Sequence, residues 1–254
     1  MVNALIAICN KTGNFAPWKE LLNGNSIYLF HLFTSLNCMI KNLIFDFGGV
    51  IIDIEPIRVG QSFRDMGVKN IEKVHELAVS RGLYLDLEKG LITPAEFRDG
   101  MREVSGLKFT DEQIDNAWNS MIVNFPKSRF DLLKQLKNNY NVYLLSNTNA
   151  IHYNYFNQYA VNNLGVKCLD DFFTKCFYSH KMKMRKPDPE IYIKMIETEK
   201  IKASESLYFD DLEENIFTAR ELGIFGIVHK PHEEINQYFA DGLVREKLLQ
   251  FVFQ

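Results

Sequence analysis

The chain has 254 residues, 46% of them hydrophobic and 24% charged, with 29 Lys+Arg against 32 Asp+Glu. Such a chain makes one large or two small domains and buries roughly 70–75% of its unfolded surface, which excludes a disordered chain, a coiled coil and a stapled mini-protein. A net charge of -3 speaks against the basic footprint of a nucleic-acid binder and leaves small-molecule chemistry as the expectation. Residues 1–38 carry charge only at Lys11, Lys19 and Glu20 and read as a poorly ordered extension before a functional start at Met39. They lack the basic start and small-residue cleavage site of a signal peptide. No stretch of about 18 uninterrupted apolar residues predicts a membrane span. Cys9, Cys38, Cys168 and Cys176 have no metal-site spacing and read as free thiols in a reducing, cytoplasmic compartment.

From Met39 the pattern becomes regular. Residues 42–47 form a short apolar run that ends in Asp46-Phe47-Gly48-Gly49, a buried strand followed by a loop. Residues 56–122 carry helical signals throughout, including capping boxes at Thr93-Pro94-Ala95-Glu96 and Thr110-Asp111-Glu112-Gln113. Leu132, Leu133 and Leu136 give a helical stripe before a second buried strand at 141–146. A helix from about Asn149, a strand near 176–178, a helix opened by Asp188-Pro189, a strand at 207–209, a helix at 215–222 and a strand at 224–228 follow. A C-terminal amphipathic helix is expected after them. Alternating strands and helices predict a Rossmann-like α/β fold, a parallel sheet with helices on both faces. The helical stretch is too long for a crossover, so it predicts an inserted α-helical cap at 56–122, with the core formed by 39–55 and 123–254.

Ligands of open parallel sheets bind beyond the carboxyl ends of the strands. Those ends here carry Asp46, Ser146-Asn147 and Asp210-Asp211, and Lys186 precedes the helix at Pro189. A carboxylate serves as a nucleophile that splits a phosphoryl transfer into two steps. Two carboxylates and a carbonyl suit Mg²⁺, which tolerates few protein oxygens and retains its waters. The Ser146 hydroxyl, the Asn147 amide and the Lys186 ammonium can hold phosphate oxygens. Taken singly, each residue reads more simply as a cap, a turn former or a surface charge. Their joint order points to chemistry.

Ile44-Phe45-Asp46-Phe47-Gly48-Gly49-Val50, Leu145-Ser146-Asn147-Thr148-Asn149, Arg185-Lys186-Pro187-Asp188-Pro189-Glu190-Ile191-Tyr192 and Tyr208-Phe209-Asp210-Asp211 resemble the four motifs of the haloacid dehalogenase superfamily. The Gly-Gly and Ser-Asn-Thr-Asn strings are similar to its alpha-D-glucose-1-phosphate phosphatase group, related to the N-terminal phosphatase domain of soluble epoxide hydrolases. The resemblance implies Asp46 as the nucleophile, Ser146 and Lys186 around the phosphoryl group, and Mg²⁺ held by Asp46, the Gly48 carbonyl, Asp211 and, as an outer-sphere or alternative ligand, Asp210. Asn215 falls where the family often carries a metal-orienting polar residue. It also implies a phospho-aspartyl intermediate and a cap that selects the substrate.

One position departs from the wider family. Gly48 stands where most of its phosphatases carry an acid/base Asp, as it does in the glucose-1-phosphatase-like group. Leaving groups that are already acidic, such as the anomeric oxygen of an aldose 1-phosphate, therefore suit this site. His152 reads as a helix-surface histidine and Tyr84 as packing in the cap, rather than as replacement acids. The expected function is a Mg²⁺-dependent phosphatase of a small phosphorylated metabolite, with no nucleic-acid, membrane or obligatory protein partner. A metal-free dehalogenase and an inactive binding module are the competing readings. The acidic pair Asp210-Asp211 opposes the first, and the intact Asp46, Lys186 and Asp211 oppose the second.

Overall fold

The computed structural model describes residues 40–230, 233–245 and 248. The extension at 1–38 and the start at Met39 lie outside the described residues.

Five short apolar runs build one sheet. Strands β1 (Asn42–Phe45), β4 (Asn141–Ser146), β5 (Lys175–Tyr178), β6 (Ser206–Asp210) and β7 (Phe225–Val228) lie in the order β5-β4-β1-β6-β7. All four pairings are parallel. The chain leaves β1 toward β4 and β5, then returns across β1 to β6 and β7, so the strand order reverses at β1. A crevice opens at such a switch point, beyond the strands' carboxyl ends.

Alternation along β1 divides the core between the two faces of the sheet. Ile44, Tyr143, Leu145 and Tyr208 pack against Ile191, Tyr192 and Met195 of one helix (Pro189–Glu199) and Ile216 and Ala219 of another (Glu213–Glu221). Phe45 and Phe209 face the other way, stacked at 5.1 Å, and both meet Phe239.

Between β1 and β4 the chain inserts β2 (Asp53–Ile54), helices α1 (Ile57–Asp65), α2 (Ile71–Ser80), α3 (Leu83–Glu88), α4 (Pro94–Ser105) and α5 (Asp111–Asn119), and β3 (Ile122–Asn124). Helix α6 (Lys127–Leu136) then leads into β4. Both capping boxes form. Thr93 caps α4 and receives the Glu96 backbone N–H, and Thr110 does the same for α5 with Gln113. Phe63, Val74, Leu87, Phe97, Met101 and Ile114 make an apolar core among these helices, and Ile151 from the helix that follows β4 joins it. Strands β2 and β3 pair antiparallel at the root of the insertion, Asp53 opposite Asn124 and Ile54 opposite Ile122.

The expected C-terminal amphipathic helix is not formed over residues 233–245, and residues 249–254 lie outside the described residues. After β7 the described residues form a 3₁₀ turn (Ile235–Tyr238) and a hairpin of β8 (Phe239–Ala240) and β9 (Leu243–Val244). Asp241 and Gly242, between the two strands, have φ of 52° and 73°. Two successive left-handed residues make the tight turn whose twist matches paired strands, and Asp-Gly is its favoured sequence. The local turn overrides the helical periodicity.

Candidate active site

Asp46 follows β1, and its backbone N–H donates to the Phe209 carbonyl at 2.8 Å, extending the ladder by one residue. The register sets Phe45 opposite both Phe209 and Leu144. Asp46 is therefore level with Asp210, and Ser146 emerges one residue further along the neighbouring strand. Ser146 is 2% exposed and Asp210 is wholly buried. One carboxylate oxygen each from Asp46, Asp210 and Asp211 lies within 4.8 Å of the others.

Lys186, three residues before the helix Pro189–Glu199, reaches this acidic group. Its ammonium lies 2.8 Å from Asp46 Oδ1 and 2.6 Å from Asp210 Oδ2, with the side chain 1% exposed. A buried ammonium is costly unless paired, and here two carboxylates pair it. Burial alone would lower its pKa, but the charges of Asp210 and Asp46 hold it above the ordinary value. Burial pushes the Asp46 carboxyl up to about 7, with Asp210 and Asp211 adding repulsion and Lys186 opposing them. Burial and then the neighbouring Asp210 likewise raise Asp211. The site holds more negative charge than Lys186 neutralises.

The three carboxylates are not equivalent. Asp210 accepts from Lys186 and from the Tyr208 hydroxyl at Oδ2, and from the Leu212 N–H (2.8 Å) and Asn215 Nδ2 (2.9 Å) at Oδ1. Its oxygens are taken up by donors from its own chain, which suits an anchor for Lys186 and Asn215. Among the described residues Asp46 and Asp211 carry no such set of donors, so the residues fit a divalent cation held chiefly by these two. Asn215 Oδ1 points the same way, being buried without a hydrogen-bond partner among the described residues.

Gly49 explains the glycine pair. Its φ is +78°, and a Cβ there would stand 2.4 Å from Asp211 Oδ2, so both the backbone and the approach of the carboxylate demand glycine. Gly48 has no such φ. A Cβ at Gly48 would meet Ile54 Cδ1 at 2.9 Å, so an isoleucine from β2 crowds the place where a side chain would begin.

Asn147 serves the backbone. Its Nδ2 donates to the Lys186 carbonyl at 2.9 Å and its Oδ1 accepts the Lys186 N–H at 2.9 Å. This two-point clasp fixes the Lys186 backbone and uses one of the two N–H groups of the side-chain amide that the sequence assigns to phosphate.

One further expectation holds and one changes. Tyr84 packs within the insertion, stacked on Trp118 at 5.2 Å, as read from the sequence. His152, read as a surface residue, is buried, and that burial drops its pKa to about 4. Its ring bonds Asn149 Nδ2 (3.1 Å) and the Trp118 carbonyl (3.1 Å).

The sequence also misses Tyr208 and Ser179. Tyr208 lies two residues before Asp210 and so on the same face of β6, a signal available from strand alternation. Ser179, fully buried, accepts the Thr148 N–H at 2.8 Å, and its hydroxyl lies 2.7 Å from the carbonyls of Thr148 and Glu88. No local pattern announces a contact between segments 91 residues apart.

Comparison with known proteins bears on this geometry. The haloacid dehalogenase-like hydrolase family matches residues 40–223. The chain is 34% identical over 185 residues to a D-ribitol-5-phosphate phosphatase of Bacteroides thetaiotaomicron, covering 73% of this chain and 89% of that protein. It is similar to the structure of the HAD family enzyme bt-2542 of the same organism in complex with magnesium and inorganic phosphate. That match has a TM-score of 0.72 and 43% identity, and covers 79% of this chain and all of the other. An HAD-like family hydrolase of Porphyromonas gingivalis matches with a TM-score of 0.70 and 32% identity, over 77% of this chain and 93% of its own.

Proposed function

The chain belongs to the haloacid dehalogenase-like hydrolases and is a Mg²⁺-dependent phosphatase of that family, and we propose that its substrate is a small sugar phosphate such as an aldose 1-phosphate. The observation that carries the reading is the buried ammonium of Lys186 set between Asp46 and Asp210, with Asp211 in the same carboxylate group. A metabolite monoester carries its negative charge at one end, and this cluster offers it a nucleophile and a fixed cation.

In the proposed cycle, Asp46 attacks phosphorus while Lys186 and the Ser146 hydroxyl hold the transferring oxygens. The new bond joins Asp46 Oδ to phosphorus, and the bond from phosphorus to the substrate oxygen breaks. The leaving oxygen takes its proton from solvent, because Gly48 has none to give. Water then attacks the phospho-aspartate, releasing inorganic phosphate and restoring Asp46. Asp46, Asp211 and the Gly48 carbonyl would hold Mg²⁺, which neutralises charge that otherwise keeps an anionic nucleophile from an anionic ester. Asp210 acts through Lys186 and Asn215, and Asn147 through the Lys186 backbone.

Residues 56–122 are proposed as the cap and 39–55 with 123–254 as the phosphatase core, supported by the apolar core among the helices. Residues 1–38 are proposed as dispensable. No helix among the described residues is long and apolar enough to cross a membrane. The free thiols of Cys168 and Cys176 support a cytoplasmic site of action.

Gly48 favours leaving oxygens of low basicity, since general acid help is typically worth about 10²–10⁴-fold and matters most for poor leaving groups. The relative that acts on ribitol 5-phosphate favours a second reading, a polyol carrying a primary phosphate. One assay separates the two. Phosphate release from glucose 1-phosphate, glucose 6-phosphate and ribitol 5-phosphate is measured with Mg²⁺ and with excess EDTA. Hydrolysis abolished by EDTA and fastest on the 1-phosphate supports the first reading, and a faster primary phosphate supports the second. Hydrolysis unchanged by EDTA would overturn the role given to Asp46 and Asp211 in holding Mg²⁺.

A further inference from the structure

We propose that Trp118 and Asn119, at the carboxyl end of α5, determine specificity by hydrogen-bonding hydroxyl groups on the leaving portion of the substrate, an inference that rests on the phosphatase reading above. The starting observation is a pair of unsatisfied groups. Trp118 Nε1, a donor, and Asn119 Oδ1, an acceptor, are both buried and have no hydrogen-bond partner among the described residues. Buried polar atoms without partners are rare, and each calls for an explanation. One is a donor and the other an acceptor, and hydroxyl groups supply both roles, giving a hydrogen to one and accepting from the other.

Their place in the fold ties them to the reacting centre. The Trp118 carbonyl accepts from His152, which also contacts Asn149, three residues beyond Ser146. Two residues on from Asn119, the Met121 carbonyl accepts the Glu55 N–H at 2.7 Å, and Glu55 follows the Ile54 that crowds Gly48. The stretch from Trp118 to Met121 therefore spans from the loop after Ser146 to the segment beside Gly48. The bond from phosphorus to the leaving group must break between those same loops.

The spanning stretch is held rigidly on the Ser146 side. Asn149 Oδ1 is occupied by the backbone N–H groups of Ile151 and His152, so its Nδ2 faces the imidazole. His152 Nδ1 must then accept, and its Nε2–H must donate to the Trp118 carbonyl. The imidazole also stacks on the indole at 5.6 Å with 16° between the planes. On its other sides the indole meets Tyr84 at 5.2 Å and Phe97 at 4.9 Å. A ring fixed by three neighbours presents its N–H in one direction, and a preorganised donor loses little entropy on binding.

The test compares substrates that differ in hydroxyl content. For Trp118→Phe and Asn119→Leu, kcat/KM on glucose 1-phosphate and ribitol 5-phosphate should fall about 3- to 10-fold per variant, the range of one neutral hydrogen bond, while p-nitrophenyl phosphate stays within about twofold. Free ribitol should inhibit p-nitrophenyl phosphate hydrolysis by the unmutated enzyme, and the same variants should weaken that inhibition by a similar factor. Equal losses on all substrates would mark a purely structural role and overturn the proposal, as would unchanged ratios. If the unmutated enzyme cleaves only p-nitrophenyl phosphate, the substrate class proposed above fails by itself. Ribitol inhibition then decides the present inference, and its absence overturns it.

Discussion

Charged residues do opposite work in the two halves of this molecule. At the strand ends Lys186 is 1% exposed and Asp210 wholly buried, and each is bonded on more than one side. In the helical insertion, Arg81 pairs with Glu103 at 2.7 Å with 48% and 68% of the side chains exposed. The insertion has an apolar core and keeps pairs such as Arg81–Glu103 at its surface, whereas the strand ends bury charge where its removal leaves a partner stranded. A buried pair is weak evidence for stability, and breaking one is severe. The strand-end charges are kept for chemistry, at a cost in stability that the surrounding sheet offsets.

The contrast is broken most directly at the nucleophile. Asp46→Asn should lower kcat by at least about 10⁴-fold, since loss of a covalent nucleophile removes the whole two-step path. Steady-state phosphate release measures it, and residual turnover within about tenfold of the unmutated enzyme would remove Asp46 from the role proposed. Gly49→Ala comes next. Its Cβ would push against Asp211 and its φ would be strained, so the Mg²⁺ concentration for half-activation should rise about 10–100-fold. Mg²⁺ titration of activity at fixed substrate checks this, and an unaltered titration would show that the loop relaxes without disturbing Asp211.

A smaller effect concerns pH. The unfolded chain protonates His152 near the ordinary 6.5, while the folded chain does so only near about 4. Between those values the unfolded state binds the extra proton, so stability present above pH 6.5 is lost as pH falls toward 4, by up to about 3 kcal/mol. His180, also lowered to about 4 by burial and by Lys181, contributes with the same sign. Urea unfolding across this range should therefore show a flatter profile in His152→Gln than in the unmutated protein. Parallel profiles would contradict the burial of the imidazole. Least affected should be Arg81→Ala, which removes an exposed pair worth about 0–1 kcal/mol and leaves kcat/KM unchanged. A loss above about 2 kcal/mol would mean that charge matters in the insertion as it does at the strand ends.

Legibility in the sequence follows the same division. Strand β4 runs over the predicted residues because its apolar run is continuous and bounded by polar residues at both ends. The strand ends that carry Asp46, Ser146 and Asp210 were readable because a parallel sheet collects its functional groups at one edge. Thr93 and Thr110 were readable because a capping box is local. What escaped depends on pairing across distance. Strands β2 and β3 are two and three residues long, too short for alternation to register, and exist only because each supplies the other's hydrogen bonds. The clasp of Asn147 on the Lys186 backbone was not readable, because the two residues are 39 apart in the chain. His152 looks exposed on a helix until Trp118 covers it. The Asp241-Gly242 turn was the exception, a local signal overlooked in favour of periodicity.

The paired strands at the root of the insertion have an evolutionary consequence. Because Asp53 lies opposite Asn124 and Ile54 opposite Ile122, the insertion departs from and returns to the sheet at the same point. Whatever lies between them closes a loop whose ends are already joined, and loop-closure entropy grows only slowly with length. The strand pairings of the sheet thus tolerate changes in the length of what it carries there. A lineage can lengthen, shorten or replace that passage, and so change which metabolite is admitted, without renegotiating the residues that break the phosphate ester.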